Sequence, residues 1–322
     1  MQALVLSKQG DFNSIKVEEV PDPKPKTNEI IVKHNFAGIN FFDYAFAKGI
    51  YKLKKMPAIL GIEGSGIISE IGADVKDFKI GDRVTYFNAG VGSFAQKKAV
   101  LASRAIASPD FLTDDIISAC FIKGLMAHTL LHKVCLSALV KRILVQSATS
   151  GVGHILCQLA KQMGIEIIGT VGSDEKIEYA RSIGCSYVIN YLTQDLVQEV
   201  GNITDYMGVG IVFDSIGKET LKKSIDCLWG MGLCVSFGET SGGIESFNID
   251  DLTANSVFLT RPKLNQYKAP RTELISGANE IFNAVKKGVV RPKITKYNFN
   301  DIKRAFEDIE NRKTTGSLVL SF

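Results

Sequence analysis

Short apolar runs alternate with amphipathic helical segments between residues 122 and 262, and this alternation limits the possible folds most strongly. The runs are ILVQS, IEIIGTV, YVIN, GIVFDSI, LCVSFG and SVFLT. Strands that alternate with helices predict a parallel sheet whose strands are joined by helical crossovers. We therefore expect an α/β domain with a doubly wound parallel sheet in this part of the chain.

The segments on either side carry a different pattern. Up to about residue 121 the chain has short alternating stretches such as EIIVKHNF, separated by turn signals at Gly72, Gly81 and Gly90. This pattern predicts an irregular, mainly β domain. After residue 262 two helical stretches precede an apolar terminal run, SLVLSF, which predicts a last strand.

Composition argues against several classes of protein. The 322 residues are enough for two domains, and 38 basic against 34 acidic residues leave a formal charge of +4 that is spread along the chain. This balance does not indicate nucleic-acid binding. The six cysteines form no CxxC pair, and the chain has neither an apolar stretch of about 18 residues nor a charged N-terminal leader. We expect a cytoplasmic protein in a reducing compartment, without a membrane span.

A loop that could bind phosphate follows the first apolar run. The segment ATSGVG, from Ala148 to Gly153, lies between the predicted strand ILVQS and a predicted helix. The buried face of that helix is predicted from apolar residues at helical spacing: Val152, Ile155, Leu156, Leu159 and Met163. Of the G-x-G-x-x-G motif only Gly153 remains. The position before a helix N-terminus still favours a dinucleotide site, as in a Rossmann domain, over a plain turn.

The end of the second predicted strand indicates which nicotinamide cofactor fits. NAD enzymes place an acidic residue there to bind the ribose hydroxyls. Here the strand leads into Gly172 and Ser173, which leave room for a 2′-phosphate, while Lys176 can add positive charge and Tyr191 a hydroxyl or ring face. The alternative is that Asp174 is the missing acid and Lys176 a solvated helix residue. The position of Asp174 beyond the strand end favours NADPH.

The sequence does not indicate a metal centre. A catalytic zinc uses three protein ligands around an open position. The stretch GIEGSGIISEIG has Ile62 beside Glu63, and the loop GINFFD at 38–43 has no cysteine. We expect Glu63 to accept a hydrogen bond from a nearby loop. His128 and His132 have the i, i+4 spacing of a helical metal pair, but the glutamate that follows the first histidine in zincins is absent. Structural roles are expected for two isolated histidines, His34 and His154.

These motifs together resemble the zinc-free medium-chain dehydrogenases/reductases, specifically the quinone oxidoreductases related to zeta-crystallin. The resemblance covers nearly the whole chain. It rests on GINFFDYAFAKGIY (38–51), GIEGSGIISEIG (61–72), GDRV (81–84), IKGL (122–125), SATSGVG (147–153), IGTVGSDEK (168–176), VINY (188–191), VFDSIG (212–217), VSFG (235–238) and TRP (260–262). Several motifs in this order are more specific than the glycine loop alone.

The resemblance implies a fold and a set of site residues. A GroES-like, mainly β catalytic domain is expected from residues 1–121 and 263–322, with a Rossmann domain at 122–262 and NADPH in the cleft between them. Expected near the nicotinamide are Asn40, Phe41, Phe42, Asp43, Phe237 and Gly238. The phosphates are expected at Gly151, Val152, Gly172, Ser173, Lys176 and Tyr191, with Arg312 as a further contact unless it is a solvated charge. Asn40 and Tyr51 are expected to orient the reactants, with Tyr51 lining the quinone pocket.

The implied activity is electron transfer from NADPH to a quinone without a metal. A quinone delocalises the incoming charge over its conjugated ring, so binding, orientation and exclusion of water carry the catalysis. Two alternatives remain open: NADPH-dependent reduction of α,β-unsaturated aldehydes or ketones, and NADPH binding without catalysis. The residues also leave open the proton donor and whether electrons move singly or as hydride.

Some features of the chain depart from the family or concern its assembly. Ala45, Lys52 and Met126 replace residues that the family often has, so two polar groups near the nicotinamide are lost. A homodimer is expected through the apolar edge strand SVFLT.

Overall fold

The computed structural model describes residues 1–134 and 140–322. Cys135 lies outside the described residues. The chain divides into two compact units. The first, the catalytic unit, contains residues 1–123, 270–288 and 292–322, and the second, the Rossmann unit, contains residues 124–269 and 289–291. The sequence predicts the boundaries after residues 121 and 262.

The described residues form sixteen strands and nine α-helices. The strands are β1 (Gln2–Leu6), β2 (Ile15–Glu19), β3 (Glu29–Ile39), β4 (Ala58–Ile59), β5 (Ser65–Ile71), β6 (Arg83–Tyr86), β7 (Lys97–Leu101), β8 (Ala105–Ala107), β9 (Arg142–Val145), β10 (Glu166–Val171), β11 (Tyr187–Asn190), β12 (Val209–Asp214), β13 (Leu228–Ser236), β14 (Phe258–Thr260), β15 (Ile294–Asn298) and β16 (Ser317–Ser321). The helices are α1 (Phe41–Lys48), α2 (Asp114–Thr129), α3 (Gly153–Gln162), α4 (Ile177–Ser182), α5 (Leu196–Thr204), α6 (Leu221–Asp226), α7 (Leu264–Tyr267), α8 (Arg271–Lys286) and α9 (Ile302–Glu310).

The catalytic unit is built mainly from antiparallel sheets. Strands β2-β1-β4 form a three-stranded sheet, and β15-β16-β3-β5-β6-β8 form the path of a seven-stranded sheet in which β7 also pairs with β3. Strands β15 and β16 from the C-terminal part run parallel to each other, and β16 pairs antiparallel with β3. The C-terminal segment therefore completes the sheet of the N-terminal segment, so the two chain ends form one β unit.

The Rossmann unit contains a six-stranded sheet in the order β11-β10-β9-β12-β13-β14. All neighbouring strands in it run parallel. The strand order reverses between β9 and β12, which is the topological switch point where dinucleotides bind in such folds. The predicted doubly wound parallel sheet is confirmed, and each of the six apolar runs overlaps one of its strands.

Helix α3 packs one apolar face on this sheet. Ile155 and Leu156 are fully buried, as the helical spacing predicts. Met163 is an exception, because 48% of its surface is exposed. The helix ends at Gln162, and Met163 is its C-cap, next to Gly164 at φ +73°. The prediction that Met163 is buried is therefore wrong. Because α3 ends at Gln162, the side chain of Met163 does not lie on the buried face of the helix.

A helix that crosses a bilayer needs about 20 mainly apolar residues. Within residues 1–134 and 140–322, none combines the length and the apolar character that crossing a membrane would need.

Candidate functional site

The loop predicted to bind phosphate connects β9 to α3 in the Rossmann unit. Gly153 opens α3, and a Cβ atom there would lie 2.4 Å from the carbonyl oxygen of Ser147, so only glycine fits. Gly151 and Val152 are half-buried in the turn just before it. Backbone N–H groups at a helix N-terminus attract anions because the first turn leaves them without helical partners. This loop can therefore hold a phosphate group.

The residues predicted for the adenosine phosphate lie at the ends of two neighbouring strands. Gly172 follows β10 and Tyr191 follows β11, and a Cβ atom on Gly172 would lie 3.3 Å from the Tyr191 hydroxyl oxygen. Ser173 is the N-cap of a short 3₁₀ turn that contains Lys176. The side chain of Asp174 accepts a hydrogen bond of 2.7 Å from Asn190. The strand end itself thus carries no acidic residue, and the nearby carboxylate is bonded to the next strand.

Phe237 and Gly238 follow β13 at the same end of the sheet. The amide of Phe237 donates a 2.8 Å hydrogen bond to the carbonyl oxygen of Asp214. A Cβ atom on Gly238 would lie 2.6 Å from the carbonyl oxygen of Ser215, so the close approach of the two loops requires glycine. These two residues therefore have fixed positions beside the loop that follows β12.

A polar cluster lies at the start of α1 in the catalytic unit. Asn40 is the N-cap of α1. Its side-chain nitrogen, Nδ2, donates to Glu63 Oε1 at 2.8 Å and, more weakly, to the Gly38 carbonyl oxygen at 3.4 Å. Glu63 Oε1 also accepts from Lys123 Nζ at 3.1 Å, and Glu63 Oε2 accepts from the Ile122 amide at 3.2 Å. Glu63 and Lys123 are 1% and 5% exposed. The carboxylate is thus paired and hydrogen-bonded, as a buried charge requires.

Asp43 lies one turn into α1 and is fully buried. Its Oδ2 atom accepts a 2.8 Å hydrogen bond from the backbone N–H of Asn40. Its Oδ1 atom is buried without a hydrogen-bond partner among the described residues. Burial raises the pKa of Asp43 to about 7, and the negative charge of Glu63 adds to this effect. Asp43 therefore exchanges its proton near neutral pH.

Aromatic rings cover the outer side of α1. Phe42 is 53% exposed. The ring centroids of Phe42 and Tyr51 are 5.4 Å apart, and Phe46 meets Tyr51 edge-on at 6.1 Å. Phe41 packs at 5.4 Å against the ring of Tyr44 instead. Phe42 and Tyr51 thus form an aromatic surface, which suits a flat conjugated ring.

Comparison with known proteins identifies the family. Residues 26–110 match the model of the alcohol dehydrogenase GroES-like domain, and residues 151–268 match that of the zinc-binding dehydrogenase domain. Quinone oxidoreductase 1 of Escherichia coli strain K12 is 37% identical over 317 residues, which is 97% of each chain. The chain belongs to the zinc-free quinone oxidoreductase family of medium-chain dehydrogenases/reductases. The predicted family and its two-part fold are confirmed.

Two further relatives bear on the chemistry of this family. The crystal structure of the Escherichia coli quinone oxidoreductase complexed with NADPH superposes with a TM-score of 0.97 at 36% identity and covers 100% of both chains. The 2-haloacrylate reductase of a Burkholderia species is 34% identical over 328 residues, 99% of this chain and 98% of that protein. The family fold therefore accommodates more than one named reductase.

The four histidines of this quinone oxidoreductase family member have different contacts. His34 is buried between the Ala95 carbonyl oxygen at 2.6 Å and the Tyr86 hydroxyl at 2.7 Å, and burial lowers its pKa to about 4. A hydrogen bond of 2.9 Å joins His154 Nδ1 to the Ser150 carbonyl oxygen. The ring centroids of His128 and His132, which are four residues apart in the chain, lie 4.6 Å apart.

Arg312, Ala45 and Met126 have different degrees of exposure. Arg312 belongs to the catalytic unit, where it is exposed in the turn after α9, while the phosphate loop belongs to the Rossmann unit. Ala45 and Met126, which replace polar residues of the family pattern, are both buried. Both side chains therefore belong to the apolar interior of the protein.

Sequence reasoning missed the part played by Lys123. The expected hydrogen bond of Glu63 is present, and it joins Asn40. Helix α2 adds a buried ammonium group that the sequence analysis did not predict. The signal was available, because Lys123 is the one charged residue in the apolar stretch SACFIKGLMA and a buried cation needs a partner.

Proposed function

We propose that this chain is an NADPH-dependent quinone reductase that uses no metal ion. The observation that carries the proposal is the 3.1 Å pair between Lys123 and Glu63, because a protein cation already neutralises the carboxylate that remains at this position. Ile62 and Asn40 supply neither an imidazole nor a thiolate beside it. An acceptor that stabilises its own charge, such as a quinone, suits a site of this kind.

The choice of NADPH rests on the strand ends of the Rossmann unit. Bound NADPH would supply the electrons, either as hydride or one at a time. Its pyrophosphate would meet Gly151 and Val152, and its 2′-phosphate would fit the neutral end of β10. The residues proposed around that phosphate are Gly172, Ser173, Lys176 and Tyr191. The bond between Asp174 and Asn190 supports this choice, because it directs the nearby carboxylate to a protein partner.

The catalytic unit would orient the reactants. The side-chain nitrogen of Asn40 is held by Glu63 and Gly38, which fixes the position of the carboxamide at the start of α1. Phe42 and Tyr51 would provide the surface for the conjugated ring. A carboxamide does not release a proton near neutral pH, so water or a mobile side chain would deliver protons to the reduced oxygen atoms.

A second activity has a specific observation in its favour. The relative named 2-haloacrylate reductase is 34% identical over nearly the whole chain. A haloacrylate or an enone is also an activated acceptor whose double bond takes hydride without a metal. Reduction of α,β-unsaturated acids or ketones is therefore the alternative proposal.

An acceptor comparison tests the two activities. NADPH oxidation is followed by absorbance with benzoquinone, naphthoquinone, methyl vinyl ketone and chloroacrylate, each against a reaction without protein, since quinones oxidise NADPH slowly by themselves. We expect kcat/KM for a quinone to exceed that for either unsaturated compound by at least about tenfold. Turnover of chloroacrylate or the enone with negligible quinone turnover would assign the alternative. Tight NADPH binding without oxidation by any acceptor would indicate a binding protein.

We also propose a homodimer formed by the edge strand β14. Its residues Phe258 to Thr260 end the six-stranded sheet, and Phe258 is 61% exposed. An apolar edge strand can pair with the same strand of a second copy across a two-fold axis.

A further inference from the structure

A chain of hydrogen bonds crosses the switch point of the Rossmann sheet, from the residue just before the phosphate loop to the end of β12. It begins at the Ser147 amide, which donates to Thr170 Oγ1 at 3.0 Å. Thr170 Oγ1 donates to Gln146 Oε1 at 2.7 Å, and Gln146 Nε2 donates to Ser224 Oγ at 3.0 Å. Ser224 Oγ donates to Asp214 Oδ2 at 2.7 Å. The chain thus links residues at the ends of β9, β10 and β12 with a residue of α6.

The direction of every bond in this chain is determined by its two ends. A backbone N–H can only donate, and a carboxylate can only accept. Because each hydroxyl has one hydrogen, Ser224 must direct it to Asp214, and Thr170 must direct its own to Gln146. The side chains of Gln146, Thr170, Ser224 and Asp214 are all fully buried. A buried network in which each member has a partner holds its members in one arrangement.

The residue at the start of the chain has an unusual backbone conformation. Ser147 lies at φ +54°, in the left-handed region that residues with a side chain rarely adopt. Such a conformation persists only where the surroundings enforce it. The Ser147 backbone makes two hydrogen bonds. Its N–H donates to Thr170, and its carbonyl oxygen accepts a 2.9 Å hydrogen bond from the Ser150 N–H within the loop. The conformation of Ser147 therefore sets the path of the loop up to Ser150.

Asp214 connects the same chain to a second loop. Its Oδ1 atom accepts from the amides of Ile216 and Gly217 at 2.8 and 2.9 Å. Thr220 Oγ1 also donates to this carboxylate. One buried carboxylate thus holds the loop after β12 directly and, through three side chains, the loop after β9.

We infer that this chain keeps the phosphate loop in its binding conformation and that Thr170 is a positioning residue for the cofactor. The inference rests on the proposed function, since it takes NADPH as the ligand of the loop. Thr170 is fully buried and accepts the hydrogen bond of the Ser147 amide, so it would act on the loop through Ser147. Its loss would leave the shape of the protein intact but would let the loop adopt other conformations.

The change Thr170→Val tests the inference, because valine has the same shape without the hydroxyl. We expect the Kd for NADPH, measured by calorimetry, to rise about tenfold. Thr170→Ser keeps the hydroxyl and should bind nearly as the wild type does. Adding Ser147→Gly to Thr170→Val should recover most of the affinity, because glycine adopts a positive φ without support. A purely structural role of Thr170 would give no such recovery.

Thr204→Val is the matched control. Thr204 is another buried threonine of the Rossmann unit, and its hydroxyl donates to the Val200 carbonyl oxygen at 2.7 Å and accepts from the Gly208 amide at 3.0 Å. It lies before β12, at the opposite end of the strands from the phosphate loop. We expect this variant to lose stability in urea unfolding while it keeps the wild-type affinity for NADPH.

The possible failures can be told apart. A folded Thr170→Val that binds NADPH as the wild type does overturns this inference alone, as does a double variant that stays as weak as the single one. A wild-type protein that binds no NADPH overturns the proposed function and this inference with it. If Thr170→Val does not fold, Ser224→Ala breaks the same chain at its other end. Its affinity should fall severalfold, and an unchanged affinity would contradict the inference.

Discussion

Asp43 has its carboxyl group buried at the start of α1, and that burial raises its pKa to about 7 from an ordinary value of 3.8. Between these two pH values the folded protein keeps a proton that the unfolded chain has released. Since the folded state then binds more protons, the free energy of unfolding falls as the pH rises through this interval. The residue therefore makes the catalytic unit more stable in mild acid than at neutral pH.

The change Asp43→Asn should remove this contribution. We expect the stability of the variant, relative to the wild type, to increase between about pH 4 and about pH 7 with a slope of up to about 1.4 kcal/mol per pH unit. Urea unfolding at several pH values measures it. Asp77→Asn, a change at an exposed carboxyl, is the control. Parallel curves for wild type and Asp43→Asn would contradict the prediction.

Lys176 is the residue on which the choice between the two nicotinamide cofactors depends. It follows the neutral end of β10 within the 3₁₀ turn capped by Ser173. Lys176→Ala should raise the Kd for NADPH about tenfold and leave that for NADH nearly unchanged, because only NADPH carries the 2′-phosphate. Lys223→Ala, an exposed lysine of α6, is the control. Equal losses for both cofactors would refute the phosphate contact.

At the scale of elements, α1 and α2 are joined through the buried carboxylate of Glu63. Asn40 at the start of α1 contacts Glu63, and α2 supplies Lys123 and the Ile122 amide to the same carboxylate. Removing one partner of a buried pair leaves an uncompensated charge, which destabilises far more than the loss of an exposed pair. The position of the Asn40 carboxamide therefore depends on α2 as well as on its own helix.

Lys123→Met should lower the free energy of unfolding by about 3–5 kcal/mol. The double change Glu63→Gln and Lys123→Met removes the isolated charge and should recover part of this loss. As a control, Lys48→Met breaks the pair between Lys48 and Glu310, whose side chains are 41% and 36% exposed, and should lower stability by no more than about 1 kcal/mol. If the Lys123 and Lys48 changes have equal effects, the buried pair has no special role.

At the scale of the whole molecule, the open edge of the Rossmann sheet determines the expected assembly. Phe258→Glu places a charge on β14 and should convert a dimer to monomers, which sedimentation velocity measures. Ile80→Glu is the control, because Ile80 is an exposed apolar residue of the catalytic unit and not part of the edge strand. A wild-type protein that sediments as a monomer would end the proposal of a dimer through this edge.

The organisation of the chain could be read from local pattern. Each predicted apolar run of residues 122–262 overlaps a strand of the six-stranded sheet, and Gly153 lies where the phosphate loop meets α3, as predicted. Local pattern suffices there because strand and helix periodicity, together with turn residues, act within a few residues of each other. The same locality explains the error at Met163, where one apolar position extended the helical pattern past the end of α3.

The sequence by itself determined the two kinds of domain, the family and the neutral strand end that favours NADPH. Only the tertiary structure decided that Lys123 pairs with Glu63 across 60 residues and that Asp214 is linked to the phosphate loop. It also determined the burial that raises the pKa of Asp43. The physical reason is that hydrogen bonding and desolvation depend on which distant segments pack together, and these distances do not follow from the spacing of residues along the chain.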